Sequence, residues 1–139
     1  MTQISYPTAN DRTAPRDLGS AVRRGFIGRC PNCGKGRLFR AYLKVVDACP
    51  VCGEDLHHQR ADDAPPYITM LIVGHIVVAG VLAAEEAWPQ SPMWLGAIVW
   101  IWLTFILSLL LLPRVKGALV GYQWALRMHG FGGQETDAP

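Results

Sequence analysis

Two long apolar runs constrain the fold of this chain more than any other feature. Residues 67–84 and 93–112 contain no Lys, Arg, Asp or Glu, and the second run is rich in Leu and Ile. At a rise of ~1.5 Å per residue, either run comes close to spanning the ~30 Å hydrocarbon core of a bilayer. A soluble domain of 139 residues has no need of two such segments in succession. We therefore predict an antiparallel hairpin of two transmembrane helices over residues 63–112, with the helices at about 65–87 and 93–112.

The distribution of basic residues predicts how this hairpin lies in a membrane. Ten of the thirteen Lys and Arg residues precede the first run, and the other three follow the second. The connection between the runs has no basic residue and carries Glu85 and Glu86, which we interpret as an orientation signal. Because basic segments stay on the cytoplasmic side, we expect both termini in the cytoplasm.

All four cysteines lie in two copies of the pattern Cys-Pro-x-Cys-Gly, at residues 30–34 and 49–53. The C-x2-C-x15-C-x2-C spacing is typical of a tetrahedral metal site, because two residues between thiolates let one tight turn present both sulfurs to a single ion. The Gly after each pair can adopt the positive φ that closes the turn. Four thiolates suit Zn2+, with iron as the alternative in the same cage, and the reducing cytoplasm disfavours disulfides. The predicted zinc ligands are Cys30, Cys33, Cys49 and Cys52.

The remaining segments complete the predicted organisation. Residues 23–62 form a zinc ribbon whose apolar core is too small to fold without the ion. Residues 1–22 are polar and aperiodic and are predicted to be a disordered lead. Residues 113–131 have the pattern of an amphipathic helix on the inner leaflet, and residues 132–139 form a polar tail. The predicted fold class is a membrane α-helical hairpin with an N-terminal cytoplasmic zinc-ribbon-like β module and a C-terminal interfacial helix.

His75 lies inside the first predicted span, where an ionisable side chain is a functional hypothesis by default. If residues 67 and 112 share one depth, His75 is level with Thr104, and we predict a structural hydrogen bond between the two helices at this point. The alternative is a functional intramembrane role toward haem, copper or a quinone. That role requires a partner protein, because one histidine cannot complete a metal site alone.

Two further polar pairs receive a structural interpretation. His57 and His58 follow the second cysteine pair and could supplement a thiolate, but the four-thiolate set is complete, so we interpret them as surface histidines. Asp62 and Asp63 precede two prolines and are interpreted as the cap of the first long helix.

Six stretches of the sequence, in one order, resemble a known family. They are residues 29–39, 42–46, 49–53, 60–67, 74–78 and 116–119. Over about residues 23–130 the chain is similar to bacterial membrane proteins called domain of unknown function 983. The resemblance implies a small bacterial inner-membrane protein with a cytoplasmic ribbon and two helices, and it implies no activity. In some bacterial lineages, members of this family are often encoded among genes for cytochrome c oxidase subunits and assembly factors, so the resemblance suggests this oxidase as a partner.

The functional predictions follow from what is present and what is missing. No nucleophile–base constellation, phosphate loop or dinucleotide fingerprint occurs, and no small-molecule substrate is evident, so we predict that the chain is not an enzyme. The leading prediction is an inner-membrane accessory protein that docks on another membrane protein, as a subunit or assembly factor of cytochrome c oxidase. The alternative is a metal or thiol-redox carrier at the membrane surface. A third function, membrane-tethered nucleic-acid binding, is disfavoured by a net charge of only +2.

Overall fold

The computed structural model describes residues 15–60 and 63–131. Three helices and one small hairpin make up this part of the chain. In order they are α1 (Leu18–Phe26), β1 (Phe39–Ala41), β2 (Lys44–Val45), α2 (Ala64–Ala87) and α3 (Met93–Ala125), followed by a 3-10 turn at Met128–Gly130. The two strands pair antiparallel, with Phe39 opposite Val45 and an irregularity before Ala41. The helices α2 and α3 form the predicted hairpin.

Both long helices are long and apolar enough to cross a membrane. Helix α2 has 24 residues and α3 has 33, which correspond to about 36 Å and 50 Å of length. Most of their side chains are exposed in the isolated chain, unlike those of core helices in soluble domains. Since a hydrocarbon core is ~30 Å thick, α3 is longer than such a core, and a helix of this length placed upright across it would extend beyond it.

The helix α3 does not end at Pro113, where the sequence predicts a new interfacial helix over residues 113–131. It continues through the proline to Ala125. The apolar side chains of this extension are not spread on a lipid surface, because Val120 and Trp124 are buried against the rest of the protein. The prediction of a separate interfacial helix is therefore not confirmed, since tertiary packing supplies the apolar surface that the lipid was expected to supply.

A side chain in the turn between β1 and β2 compensates for the proline inside α3. Pro113 has no backbone N–H, so the carbonyl of Leu109, one turn earlier, has no intrahelical donor. The hydroxyl of Tyr42 donates to that carbonyl oxygen at 2.9 Å. Beside it, Lys116 Nζ donates to the carbonyl oxygen of Leu43 at 2.8 Å. The turn between β1 and β2 is thus attached to α3 where the helix lacks one of its own bonds.

The helix α1 lies partly in the segment that the sequence predicts as a disordered lead, residues 1–22. Asp17 caps it, because the Asp17 carboxylate accepts a bond from the backbone N–H of Ser20 at 3.1 Å. Bonds from Ser20 lower the pKa of Asp17 below its usual range. The prediction is wrong for residues 18–22, since a nine-residue amphipathic helix is stabilised by its tertiary contacts more than by its own propensity. The lead before residue 15 and the predicted tail at 132–139 lie outside the described residues.

The helices α1 and α3 meet at backbone contact distance. A Cβ placed on Gly25 or on Gly117 would lie 2.0 Å from the carbonyl oxygen of the other glycine. A Cβ on Gly121 would lie 2.3 Å from the carbonyl oxygen of Ala21. Small residues four positions apart on both helices allow this approach, as they do in closely packed membrane helices.

The core of the protein lies where α1, the ribbon and the extension of α3 come together. Its buried members come from all three parts and are Ala21, Cys30, Leu38, Cys49, Leu56, Val120, Trp124 and Phe131. The cysteine-bearing segment therefore shares its core with two helices and does not rely on its own apolar residues alone.

The start of α2 differs slightly from the predicted cap. Asp63 occupies the N-cap position, but its side chain makes no capping hydrogen bond. Proline in the first turn removes a donor that would otherwise need such a partner. Asp62 lies outside the described residues.

Enlarging the glycines at the crossing of α1 and α3 should detach α1. We expect Gly117→Ala to destabilise this contact by about 1–3 kcal/mol, because the added methyl would overlap a backbone oxygen. Trypsin should then cut at Arg23 and Arg24 in α1 several-fold faster. The matched controls are Gly74→Ala and Gly96→Ala, whose added Cβ meets no atom within 4 Å. Equal cleavage rates in all the variants would contradict the proposed role of the glycines.

A double-mutant cycle tests the compensation for Pro113. Tyr42→Phe should weaken protection of the ribbon by about 0.5–1.5 kcal/mol, the usual worth of one hydrogen bond. In a Pro113→Ala background the effect should vanish, because the restored N–H at position 113 can bond the Leu109 carbonyl itself. Hydrogen exchange of the amides at 39–46 provides the measurement, and Tyr122→Phe, which removes an exposed hydroxyl elsewhere on α3, is the control. Additive effects would show that Tyr42 and Pro113 are not coupled.

Candidate metal centre

The four cysteines come together in one cluster, with their sulfurs all within 4.8 Å of one another. The sulfurs of Cys30 and Cys52 are 3.8 Å apart, and those of Cys33 and Cys49 are also 3.8 Å apart. All four are free thiols, since a disulfide requires ~2.05 Å between sulfurs. The two Cys-Pro-x-Cys-Gly turns, residues 30–34 and 49–53, are the first and second knuckles. Each close pair joins one cysteine of the first knuckle to one of the second, so both knuckles contribute to the same cluster.

The spacing of the sulfurs fits a tetrahedral metal ion. Four ligands at the Zn–S distance of ~2.3 Å on the corners of a tetrahedron are ~3.8 Å apart. Cys30 and Cys49 are buried, while Cys52 is exposed. Four converging thiolates leave no open position on a tetrahedral ion, so the cluster has the character of a structural site. Iron has the same preference for four thiolates, and the geometry does not select between the two metals.

The two knuckles fold alike, as their shared pattern predicts. In each one, the backbone N–H of the final glycine donates to the carbonyl oxygen of the first cysteine, from Gly34 to Cys30 at 2.9 Å and from Gly53 to Cys49 at 3.0 Å. Both glycines have positive φ, 68° and 73°. The prediction that glycine closes each turn in this conformation is confirmed.

The thiols of the cluster differ in acidity. Backbone N–H groups, that of Gly36 first and that of Lys35 also, lower the pKa of Cys33 to about 6. Burial raises the pKa of Cys30 and of Cys52 above the usual thiol range. Burial therefore disfavours the thiolate form of Cys30 and Cys52, and a bound cation would favour it.

The helix α1 holds the first knuckle. The guanidinium of Arg24 donates to the carbonyl oxygens of Pro31 and Asn32 at 3.2 Å and 2.8 Å. These carbonyls lie between the two cysteines of the knuckle, so α1 fixes the turn that presents both sulfurs.

A second set of bonds attaches the other knuckle to the end of α3. Trp124 Nε1 donates to the carboxylate of Glu54 at 2.9 Å, and the other oxygen of that carboxylate accepts from Asn32 Nδ2 at 3.0 Å. Arg16 lies over the Trp124 ring, 4.2 Å from its centroid, and donates to the Trp124 carbonyl oxygen at 2.6 Å. Burial lowers the pKa of Arg16. The carboxylate of Glu54 therefore links both knuckles to the end of α3.

The loop that leads into α2 is attached to the same helix. The side-chain amide of Gln123 accepts from the backbone N–H of Arg60 and donates to the Arg60 carbonyl oxygen, both at 3.1 Å. Through this two-way bond, the entry of the first long helix is positioned against the second.

His75 does not contact Thr104, so the predicted interhelical bond is wrong. Its Nδ1–H donates to the carbonyl oxygen of Leu71 at 2.8 Å, and the Thr104 hydroxyl donates to Trp100 in its own helix at 2.7 Å. The same pairing of depths places Gly80 level with residue 99, and Gly80 does pack against the ring of the neighbouring Trp100. Depth alone does not determine which face of α2 meets α3. Thr69 and Val73 face α3, and His75 is exposed on the opposite face of α2.

The histidines after the second knuckle do not join the cysteines. His57 and His58 instead form a separate group with Asp55. At the far end of the hairpin, Glu85 and Glu86 are exposed.

Several residues that hold the metal centre were not identified from the sequence. They are Arg16, Arg24, Glu54 and Trp124, which form bonds across 7 to 115 positions of the chain. No local pattern signals such pairings. One signal was visible, because Gly117 and Gly121 form a small-xxx-small pair, which is typical of a close helix contact.

One glycine at the centre makes room for a ligand. A Cβ on Gly36 would lie 2.2 Å from Cys49 Sγ. We expect Gly36→Ala to lower zinc affinity about five- to 150-fold, the equivalent of ~1–3 kcal/mol of overpacking. Competition with a colour-forming chelator measures this affinity.

The control for that variant is Gly53→Asn. The position has positive φ, which asparagine tolerates, and nothing lies within 4 Å of an added Cβ. Zinc affinity should remain close to that of the unaltered protein. If both variants bind zinc equally well, the space that Gly36 leaves beside Cys49 is not needed for zinc binding.

Comparisons with known proteins identify one family. The family model described as protein of unknown function (DUF983) matches residues 39–124, which is more than half of the chain. The matched segment contains Cys49, Cys52 and both long helices up to Trp124, and it begins after Cys30 and Cys33. No curated protein and no solved structure matches the chain.

Proposed function

The chain belongs to the DUF983 family, and from that premise we propose that it is an inner-membrane accessory protein that docks on another integral membrane protein. In this proposal the four-cysteine centre binds zinc and stabilises a cytoplasmic module, while the outer face of α2 recognises the partner. The observation that carries the docking role is the position of His75.

The metal centre supports a structural role more than chemistry. Buried Cys30 and Cys49 and the complete set of thiolates favour retention of the ion. The exposed Cys52 and the low pKa of Cys33 are what a metal or thiol-redox carrier would use. We favour the structural function, because Arg24 and Glu54 hold both knuckles in place and a carrier must open to release its ion.

The orientation of the protein is proposed from its charges. The ribbon, α1 and the extension of α3 lie at one end of the hairpin, together with nearly all the basic residues. The connection at the other end has two carboxylates and no basic residue. By the positive-inside rule, the metal centre lies on the cytoplasmic side of the membrane.

The exposed face of α2 supports a protein partner within the membrane. His75 faces away from α3, and its hydrogen bond reaches only its own helix. A shallow apolar groove extends along this face from Tyr67 to Leu82, and an added Cβ on Gly74 would meet nothing within 4 Å. An imidazole at this depth is costly against lipid, so a neighbouring protein helix that accepts or donates a bond would stabilise it. The glycine beside it allows such a helix to come close.

Cytochrome c oxidase is the partner that we propose to test first, because the sequence resemblance suggests it. His75→Leu should leave the abundance and zinc content of the protein unchanged and should reduce co-purification with oxidase subunits. A lost hydrogen bond between membrane helices is worth about 0.6–1.7 kcal/mol, so the expected reduction is about three- to twentyfold.

Thr104→Val is the matched control, since it removes a polar group at the same depth that bonds only within α3. It should not change co-purification in mild detergent. A protein that migrates as a single chain, together with unaltered oxidase activity when its gene is deleted, would refute the oxidase as partner. Self-association that is lost in the His75→Leu protein would indicate that a second copy occupies the face instead.

A further inference from the structure

A second group of potential metal ligands lies just beyond the second knuckle. Asp55, His57 and His58 each offer one ligand atom, and these atoms all lie within 4.8 Å of one another. Both histidines face the same carboxylate: His57 Nδ1 is hydrogen bonded to one oxygen of Asp55, and His58 Nε2 is 3.8 Å from the other. The two imidazole rings are 3.9 Å apart between centroids. None of the three side chains belongs to the cysteine cluster.

The chemistry of this group differs from that of the cysteines. The two imidazoles are borderline donors and the carboxylate is a hard donor. Such a set suits divalent first-row transition ions, whereas thiolates favour softer ions. Ions of this class have bonds of ~2.0–2.2 Å, so two ligands on a tetrahedral ion are ~3.3–3.6 Å apart. The ligand atoms lie within 4.8 Å of one another, so their separations need to change by about 1 Å to reach this spacing. Asp55 and His57 are exposed and have the freedom to move this far.

The backbone that carries the three ligands is held in place. Asp55 pairs with Ala48 in an antiparallel bridge, and the backbone N–H of Leu56 donates to the carbonyl oxygen of Asp47 at 2.8 Å. Leu56 lies between the ligands in sequence, and its side chain is fully buried in the core. The backbone between Asp55 and His57 is therefore anchored, and the ligand atoms converge without any change of fold.

The position of His58 is set by Gly130 and Phe131, which follow α3. Its ring meets the edge of Phe131, with 6.0 Å between ring centroids. A Cβ on Gly130 would lie 2.9 Å from His58 Nδ1, so the glycine leaves room for this ring. With Nδ1 turned toward Gly130, Nε2 is the nitrogen that faces Asp55.

We propose that Asp55, His57 and His58 form a second metal site, which binds a divalent first-row transition ion such as Zn2+. Three protein ligands leave at least one coordination position for water, and two of the three side chains are largely exposed. The ion in this site therefore exchanges with the solvent far faster than the ion inside the cysteine cage. The site gives the module two metal positions of opposite character, a closed thiolate position and an open imidazole–carboxylate position.

Zinc stoichiometry of the full-length, untagged protein in detergent tests this proposal. We expect two equivalents of Zn2+ per chain after equilibrium dialysis, one of which a weak chelator removes quickly. The His57→Ala/His58→Ala double variant should bind one equivalent, and Asp55→Asn should weaken the labile site at least several-fold. His129→Ala removes an exposed histidine outside the group and should retain two equivalents. One equivalent in the unaltered protein, or two in the double variant, would overturn the proposal.

Cobalt substitution separates loss of the site from loss of the fold. The first equivalent of Co2+ should produce the sulfur-to-metal charge-transfer absorption of a thiolate site in every variant. The second should add only the weaker visible bands of nitrogen and oxygen ligands, and only when both histidines are present. If the charge-transfer band is intact in the double variant and the second set of bands also persists, the second ion is held by other residues and the assignment is wrong.

Discussion

The backbone contact between α1 and α3 is the interaction on which the rest of the structure depends. Gly25 and Gly117 bring the two helices so close that neither position has space for a Cβ. This crossing places Arg24 of α1 and Trp124 of α3 on the two sides of the metal centre. Without it, the knuckles would lose their supports, and the module would have only the small apolar core of the ribbon. Backbone contact of this kind tolerates few substitutions, since interiors are packed without spare volume.

The length of α3 makes the crossing possible. A span needs about 20 residues, and α3 has 33, so its last turns are available as a structural element of the module. The helix passes its proline without ending, because Tyr42 supplies the donor that Pro113 lacks. The last turns of α3 therefore pack directly against the cysteine-bearing segment.

Two polar features of the described residues lie apart from the buried core and from each other. His75 is exposed on the outer face of α2, inside the apolar span, and the group of Asp55, His57 and His58 is exposed on the ribbon. The four cysteines lie apart from both places, with their sulfurs together in one cluster that could hold a metal ion. In the functions proposed above, recognition in the membrane, exchange of ions with the solvent and structural support belong to three different surfaces.

The sequence by itself determined the family, the two long apolar helices, the four metal ligands and the glycine turns beside them. These features depend on composition, on spacing within a few residues and on backbone φ, and local physical chemistry decides all three. Only the tertiary structure decided that α3 continues past Pro113, that α1 forms at all, that His75 faces away from Thr104, and that Asp55 joins the two histidines. Each of these depends on which surfaces meet across large separations in the chain, or on the rotation of a helix about its own axis. An apolar run without charges leaves that rotation undetermined, because every face of such a helix is equally acceptable to lipid until another helix packs against it.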